Sequence, residues 1–371
     1  MNLSQASMVN NTSQIYINCL NALRVVLAFN VLFKHFVGHY APSWSDSIYY
    51  LIISGIPNVP LFFAISGFLL YQSWLSINKR NINNKSLYYL LTKLIRVYPA
   101  IWFSFFVSII GLVYLGVLNF ESLNLSSFIV WVVAQLSFFQ YYNPDFLRGF
   151  GVGVLNGSLW TIAILLQFFL VSVVIFRLID KYKSNSFVLL YFILVLLLHY
   201  FTVCFFNGSS LVDKIFKTSI FNYLVYFSIG VVFRIYFDSL KKIINFKYFF
   251  ILVFLNILLL SLNKNFEILS NDLFLFLYTL PMVFLIFNFS YIFPNFLSLF
   301  QRKNLSYGIF IWHMIFINLS IEVFDRGENN FFIFVFCLVM IYIFSYFQLK
   351  FLEGWIYKKI LKKLSPLFER E

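Results

Sequence analysis

Asn21-Ala-Leu-Arg24-Val-Val-Leu-Ala-Phe-Asn-Val-Leu-Phe-Lys-His35 places an arginine and a histidine eleven residues apart inside an apolar run. On a helix that separation turns about 1100°, three turns plus roughly 20°, and rises roughly 16 Å. Both side chains therefore share one face at two depths, and His39 continues the stripe one turn on. Ionisable groups at membrane depth are costly and usually face a protein interior or a watery cavity. Two readings stand for this pair. Either it marks a functional path, or Arg24 snorkels to the surface and His35 is an interior hydrogen-bonded residue.

That this run is a membrane span follows from the rest of the chain. Of 371 residues, 61% are hydrophobic, 22% aromatic and only 11% charged, where a soluble chain carries about 25% charge. The mean hydropathy is +0.85. The apolar runs are long and continuous rather than alternating, which predicts an all-α polytopic transmembrane bundle and not a barrel. A net charge of +13 is then read as basic cytoplasmic loops rather than as a nucleic-acid surface. Cys19, Cys204 and Cys337 are dispersed and imply neither a disulfide framework nor a metal site.

Taken in order, a polar segment at 1–14 precedes a first span at about 15–36, expected to be a retained signal-anchor. A second span at about 47–72 holds Pro57-Asn-Val-Pro60-Leu-Phe-Phe-Ala-Ile-Ser66-Gly67-Phe, which predicts a locally broken helix. Lys79, Arg80, Lys85, Lys93 and Arg96 follow with no intervening acid and orient the chain, with the N-terminus inside. The apolar segment 128–142 is short for a crossing and is read as re-entrant. With that choice the basic loops Arg177–Lys183, Arg234–Lys247, Arg302–Lys303 and Lys350–Arg370 all fall inside. The loops carrying Glu267 and Asp272, and Glu322, Asp325 and Glu328, fall outside. Ten spans result, at about 15–36, 47–72, 97–118, 158–177, 186–206, 218–236, 247–262, 272–293, 304–321 and 330–350, with both termini cytoplasmic. The membrane domain is thus expected over 15–350, and 351–371 as a basic tail on the anionic inner leaflet.

Lys93 and Arg96 stand three apart ahead of Tyr98-Pro99, at the expected start of the third span. Two cations on one face at a cavity mouth suit phosphate groups; taken on their own, ordinary positive-inside flanking is the weightier reading. Trp160 opens the fourth span and Gln167 shares its face; Ser306 and His313 share a stripe in the ninth. His199 is read as structural.

These stretches together resemble the integral-membrane acyltransferase-3 family, which O-acylates bacterial surface glycans. The likeness rests on Arg24 and His35; on Phe62-Phe63-Ala-Ile-Ser66-Gly67-Phe68; on Lys93-x-x-Arg96-x-x-Pro99; on Leu159-Trp160-Thr161; and on Ser306-Tyr307 through His313. Five motifs occur in order over nearly the whole chain. Departures from the usual pattern fall at Asn21, Pro60, Lys93 and Leu165, where acids or an arginine are common. The resemblance implies acetyl-CoA as a co-substrate donor on the cytoplasmic side, with no bound cofactor and no metal. It implies Lys93, Arg96 and the deeper Arg24 as donor-binding residues, and His35 either as general base on the acceptor hydroxyl or as a carrier of the acyl group. It further implies Ser66, Trp160, Gln167, Ser306, Tyr307 and His313 as the oxyanion and acceptor pocket. The acceptor would be a sugar hydroxyl of a surface or lipid-linked glycan at the outer face of a bacterial inner membrane. No SGNH-type hydrolase-like domain follows the tenth span, so acyl delivery is expected to be direct or through a separate periplasmic partner. The rivals are a glycan exporter or flippase and a non-catalytic member of the same family; two related halves would favour transport, and none is evident.

Overall fold

The computed structural model describes residues 3–119, 123–140, 142–206, 208, 210–266, 271–295, 298–301 and 304–369. Of the loop charges read above, Glu267, Arg302, Lys303 and Arg370 lie outside them. The described chain is helical: α1 (Leu3–His39), α2 (Ile48–Ser54), α3 (Asn58–Asn78), α4 (Lys85–Tyr114), α5 (Leu125–Leu136), α6 (Leu159–Tyr182), α7 (Asn185–Phe205) and α8 (Leu211–Lys217). Then come α9 (Ile220–Ile235), α10 (Phe237–Leu240), α11 (Phe246–Phe266), α12 (Asn271–Ile292), α13 (Ser298–Gln301), α14 (Ser306–Val323) and α15 (Asn330–Phe347). A π-helical segment (Gln348–Ile356) joins α15 to α16 (Tyr357–Leu364). Among the described residues, nine helices are long and apolar enough to cross a membrane. Counting Phe237–Ile243 with Phe246–Leu262, bent by 88°, as one broken span makes ten. The molecule is a polytopic helical bundle.

Several boundaries differ from the sequence reading, each for a local reason. The second span is not one helix over 47–72. Pro57 bars Ile56 from helical backbone, and Asn58 Nδ2 donates to the Ile56 carbonyl at 3.0 Å, so the chain restarts as α3 and runs on to Asn78. The third span begins not at 97 but at Lys85, where Asn84 caps it by accepting from the Leu87 amide. Pro99 therefore lies in the helix interior and not at its start. The tenth helix does not end near 350 but continues through the π segment into α16.

The chain divides into two compact units. One comprises Met1–Leu27, Gly55–Ser76 and Ile175–Asn304. Within it α3 crosses α9 closely, where a Cβ on Gly67 would overlap the Phe227 carbonyl and one on Gly230 the Ala64 carbonyl. Small residues let two backbones approach this closely. Phe68, Phe233 and Phe287 pack nearby, the last two stacked at 4.1 Å between centroids.

The other unit comprises Ala28–Ser54, Ile77–Val174 and Leu305–Glu371. Here α5, capped by Asn124 on the Ser127 amide at 3.1 Å, is twelve residues long, about 18 Å. Its far end reaches halfway along α4: Trp102 Nε1 donates to the Leu136 carbonyl and Tyr98 Oη to that of Ser137, each at 3.2 Å. The chain then turns back. Tyr142–Phe146 line a cavity of about 560 Å3 with Val117, Leu123 and Asn124, and the Gly151 amide donates to Glu322 at the end of α14. The segment thus begins and finishes at the Tyr114 end of α4 and is re-entrant, with Trp131 buried among Phe105, Phe128 and Phe146.

Candidate functional site

In the unit that holds α4, α14 and the end of α1, three imidazoles meet. His35 Nδ1 lies 3.4 Å from His39 Nε2 on the next turn of α1, and the His35 and His313 ring centroids are 5.3 Å apart. His35 and His39 are half-buried and His313 fully buried. His313 Nδ1 lies 3.0 Å from the Ile309 carbonyl. A carbonyl only accepts, so Nδ1 carries the hydrogen and Nε2 the lone pair. That Nε2 is buried with no hydrogen-bond partner among the described residues. A buried polar atom in this state costs free energy unless a bound molecule satisfies it.

α14 is fixed from two sides, which explains how a histidine is held there. Asn156 Nδ2 donates to the Ile311 carbonyl at 2.8 Å and Ser158 Oγ to that of Phe310 at 2.9 Å. Asn318 Nδ2 donates to the Val154 and Leu155 carbonyls. On another face Gly308 meets Ser345 of α15 so closely that a Cβ would come within 2.6 Å of its Cβ. Tyr307 Oη donates to the Val97 carbonyl at 3.0 Å, which fastens α14 to α4 between Arg96 and Pro99. The His39 end of α1 is held by an aromatic group of Phe33, Phe36, Trp44 and Phe334, and by Tyr40 Oη on the Asp325 carbonyl at 3.0 Å.

The sequence reading missed an acidic partner. Arg96 Nε donates to Glu353 Oε2 at 3.2 Å; the arginine side chain is 46% exposed and the glutamate 5%. Gln348 Nε2 donates to Glu353 Oε1 at 3.2 Å, and Gln348 Oε1 accepts from Trp312 Nε1 at 3.0 Å. Arg96 is thus joined by hydrogen bonds to the residue before His313. Nothing in residues 348–356 read alone points to this, because alpha periodicity does not put 348 beside 353. Lys93, one turn before Arg96, places its ammonium 5.2 Å from the Tyr89 ring centre.

The remaining predicted site residues are placed as follows. Ser306 is fully buried at the start of α14. Trp160 and Gln167 are half-buried on α6. Arg24 and Ser66 belong to the other unit. There the Arg24 guanidinium lies 4.6 Å over the Phe62 ring, and Ser66 Oγ donates to the Phe62 carbonyl at 2.8 Å, which commits its proton within α3. At Asn21, where an acid is common, the side-chain oxygen accepts from Asn304 at 3.2 Å. Among the described residues no group of three His, Cys, Asp or Glu has the geometry to hold a metal ion.

The model of a family described as an acyltransferase domain matches residues 17–348. Nodulation protein 10 of Rhizobium leguminosarum bv. viciae is 22% identical over 331 residues, covering 82% of this chain and 84% of that protein. No solved structure matches significantly.

Proposed function

The chain belongs to the integral-membrane acyltransferase-3 family, and from that premise we propose that it moves an acetyl group from acetyl-CoA to a sugar hydroxyl of a surface or lipid-linked glycan. The observation that carries this reading is the histidine group: two imidazoles in contact on α1, beside a third whose lone pair is buried and unpaired. With the His35 Nδ1 hydrogen directed at His39 Nε2, His35 Nε2 is a free base. A neutral imidazole suits that task.

The acceptor hydroxyl oxygen attacks the thioester carbonyl carbon, and its proton passes to His35 Nε2 as the C–O bond forms. Collapse of the tetrahedral intermediate breaks the C–S bond, and the proton goes on to the leaving thiolate, giving an ester and free CoA. His313 Nε2 accepts a hydrogen bond from the acceptor and aligns it. Arg96 and Lys93 hold the donor phosphates. Trp160, Gln167, Ser306 and Tyr307 shape the acceptor pocket.

The protein is proposed to lie in a bacterial inner membrane with both termini cytoplasmic. Supporting this, the basic loop before α4 and the basic tail share one end: Ile82 bridges to Glu369, and the Asn83 amide donates to the Phe368 carbonyl. The positive-inside bias places that end in the cytoplasm.

The test is CoA release from acetyl-CoA by purified protein with a lipid-linked glycan fraction as acceptor. Wild type should release CoA, and His35→Ala should lose a factor of about 10²–10⁴. Full activity in folded His35→Ala sinks the base assignment; no release by wild type sinks the donor.

A further inference from the structure

We propose that Glu353 is a positioning residue that holds Arg96 by its inner edge, so that the outer edge of the guanidinium meets the phosphates of the acyl donor. This rests on the acyl-CoA reading above. A guanidinium offers five N–H donors in a planar fork. Glu353 engages Nε, the donor nearest the backbone. Two N–H groups, one on each terminal nitrogen, lie on the end-on edge that this contact does not use, on a side chain that is 46% exposed. They form the edge that binds a phosphate in bidentate fashion.

The carboxylate is built into place. Its side chain is 5% exposed, and a charge buried to that extent needs a partner on each oxygen. Arg96 takes Oε2 and Gln348 takes Oε1. The winding of the helix makes this possible. Five residues apart on an α-helix is about 500°, or roughly 140° out of register. The π turn over Gln348–Ile356 pairs i with i+5 and lays Gln348 over Glu353. Gln348 in turn is gripped by Trp312, both fully buried. One hydrogen-bonded line therefore runs from the donor-side cation to the helix that carries His313.

Packing alone does not account for the arrangement. Well-packed apolar residues serve stability as well as a buried ion pair does. π turns inside α-helices recur at functional sites.

The experiment compares full-length wild type, Glu353→Gln, Glu353→Ala and Arg96→Lys, each shown monodisperse in detergent. The KM for acetyl-CoA and kcat are measured at saturating acceptor fraction, beside binding of CoA itself by thermal shift. Glu353→Gln keeps the shape and loses the charge. It should leave kcat within about twofold and raise the KM for acetyl-CoA about tenfold or more, as the loss of a charge-assisted hydrogen bond does. Arg96→Lys, which has no fork, should match it, and the double variant should be no worse than either. A folded Glu353→Gln with unchanged acetyl-CoA KM overturns the proposal, as does a fall in kcat alone. Should Glu353→Gln not yield folded protein, Glu353→Asp, which withdraws the carboxylate by one methylene, is read by the same criteria. Wild type that neither binds CoA nor releases it from acetyl-CoA overturns the acyl-CoA reading itself, which the Glu353 variants alone never do.

Discussion

At the scale of single residues, the His35–His39 contact carries the clearest consequence. Which nitrogen of His35 serves as base depends on what its Nδ1 meets, and the atom it meets is His39 Nε2 at 3.4 Å. Replacing His39 by Ala removes the group that fixes the His35 tautomer without touching His35. CoA release should fall by about tenfold or more, with the acetyl-CoA KM unchanged. His39→Gln, whose amide oxygen can still accept from Nδ1, should recover most of the loss. Equal loss in both variants would show that His39 does no more than pack. Arg96 calls for similar care. Truncation to Ala leaves the Glu353 carboxylate buried without its cation; after discounting for the half-exposed arginine the destabilisation is of order 1–3 kcal/mol. Arg96→Lys keeps a cation there and should melt close to wild type, so a thermal comparison of the two separates donor binding from folding.

Among elements, the crossing of α3 and α9 is where the first unit tolerates least change. Gly67 and Gly230 each face the other helix's backbone, and backbone cannot step aside as a side chain can. Gly67→Ala and Gly230→Ala should each destabilise the detergent-solubilised protein by about 1–3 kcal/mol through overpacking. Gly111→Ala, whose added methyl would meet only Leu319 at 3.8 Å, should stay within about 0.5 kcal/mol. A Gly67→Ala protein melting with wild type would mean that the two helices stand further apart than described. The same crossing shows what hydropathy can and cannot disclose. Gly67 was legible as part of an irregular stretch, because two prolines and a Ser-Gly pair interrupt an apolar span. Gly230 as its partner was not, since apolar runs do not say which helices meet. Likewise His35, Arg96 and His313 were legible as candidates from charge and spacing within apolar stretches. Glu353 was hidden because it stands in a basic tail where an acid reads as a solvated charge, and only the π turn brings it inward. The placement of Pro99 failed because a helix-start rule was applied where Asn84 had already capped the helix fifteen residues earlier.

The whole molecule poses a question of sidedness, and the segment between α4 and α6 decides it. A hydrocarbon core is about 30 Å thick, and α5 is about 18 Å long; it cannot cross upright. Its bonds say the same. The chain reaches Tyr98 and Trp102 midway along α4 and returns to Glu322 and Arg326 beside the end of α14, with Arg326 Nη2 on the Gly151 carbonyl at 2.8 Å. Were this segment to cross, every basic loop after it would change sides and the lysines of α16 would face outward, against the positive-inside bias. Single cysteines at Ser126, Asp145 and Lys359, all exposed, test this in a background with Cys204, the exposed native cysteine, replaced by Ser. A membrane-impermeant maleimide added to intact cells should label Ser126→Cys and Asp145→Cys alike, and Lys359→Cys only after permeabilisation. Labelling of Ser126→Cys and Asp145→Cys from opposite sides would make the segment a crossing. Glu353, which follows the segment, would then lie on the opposite side of the membrane from Arg96, which precedes it, so the ion pair and the donor site built on it stand or fall with this sidedness.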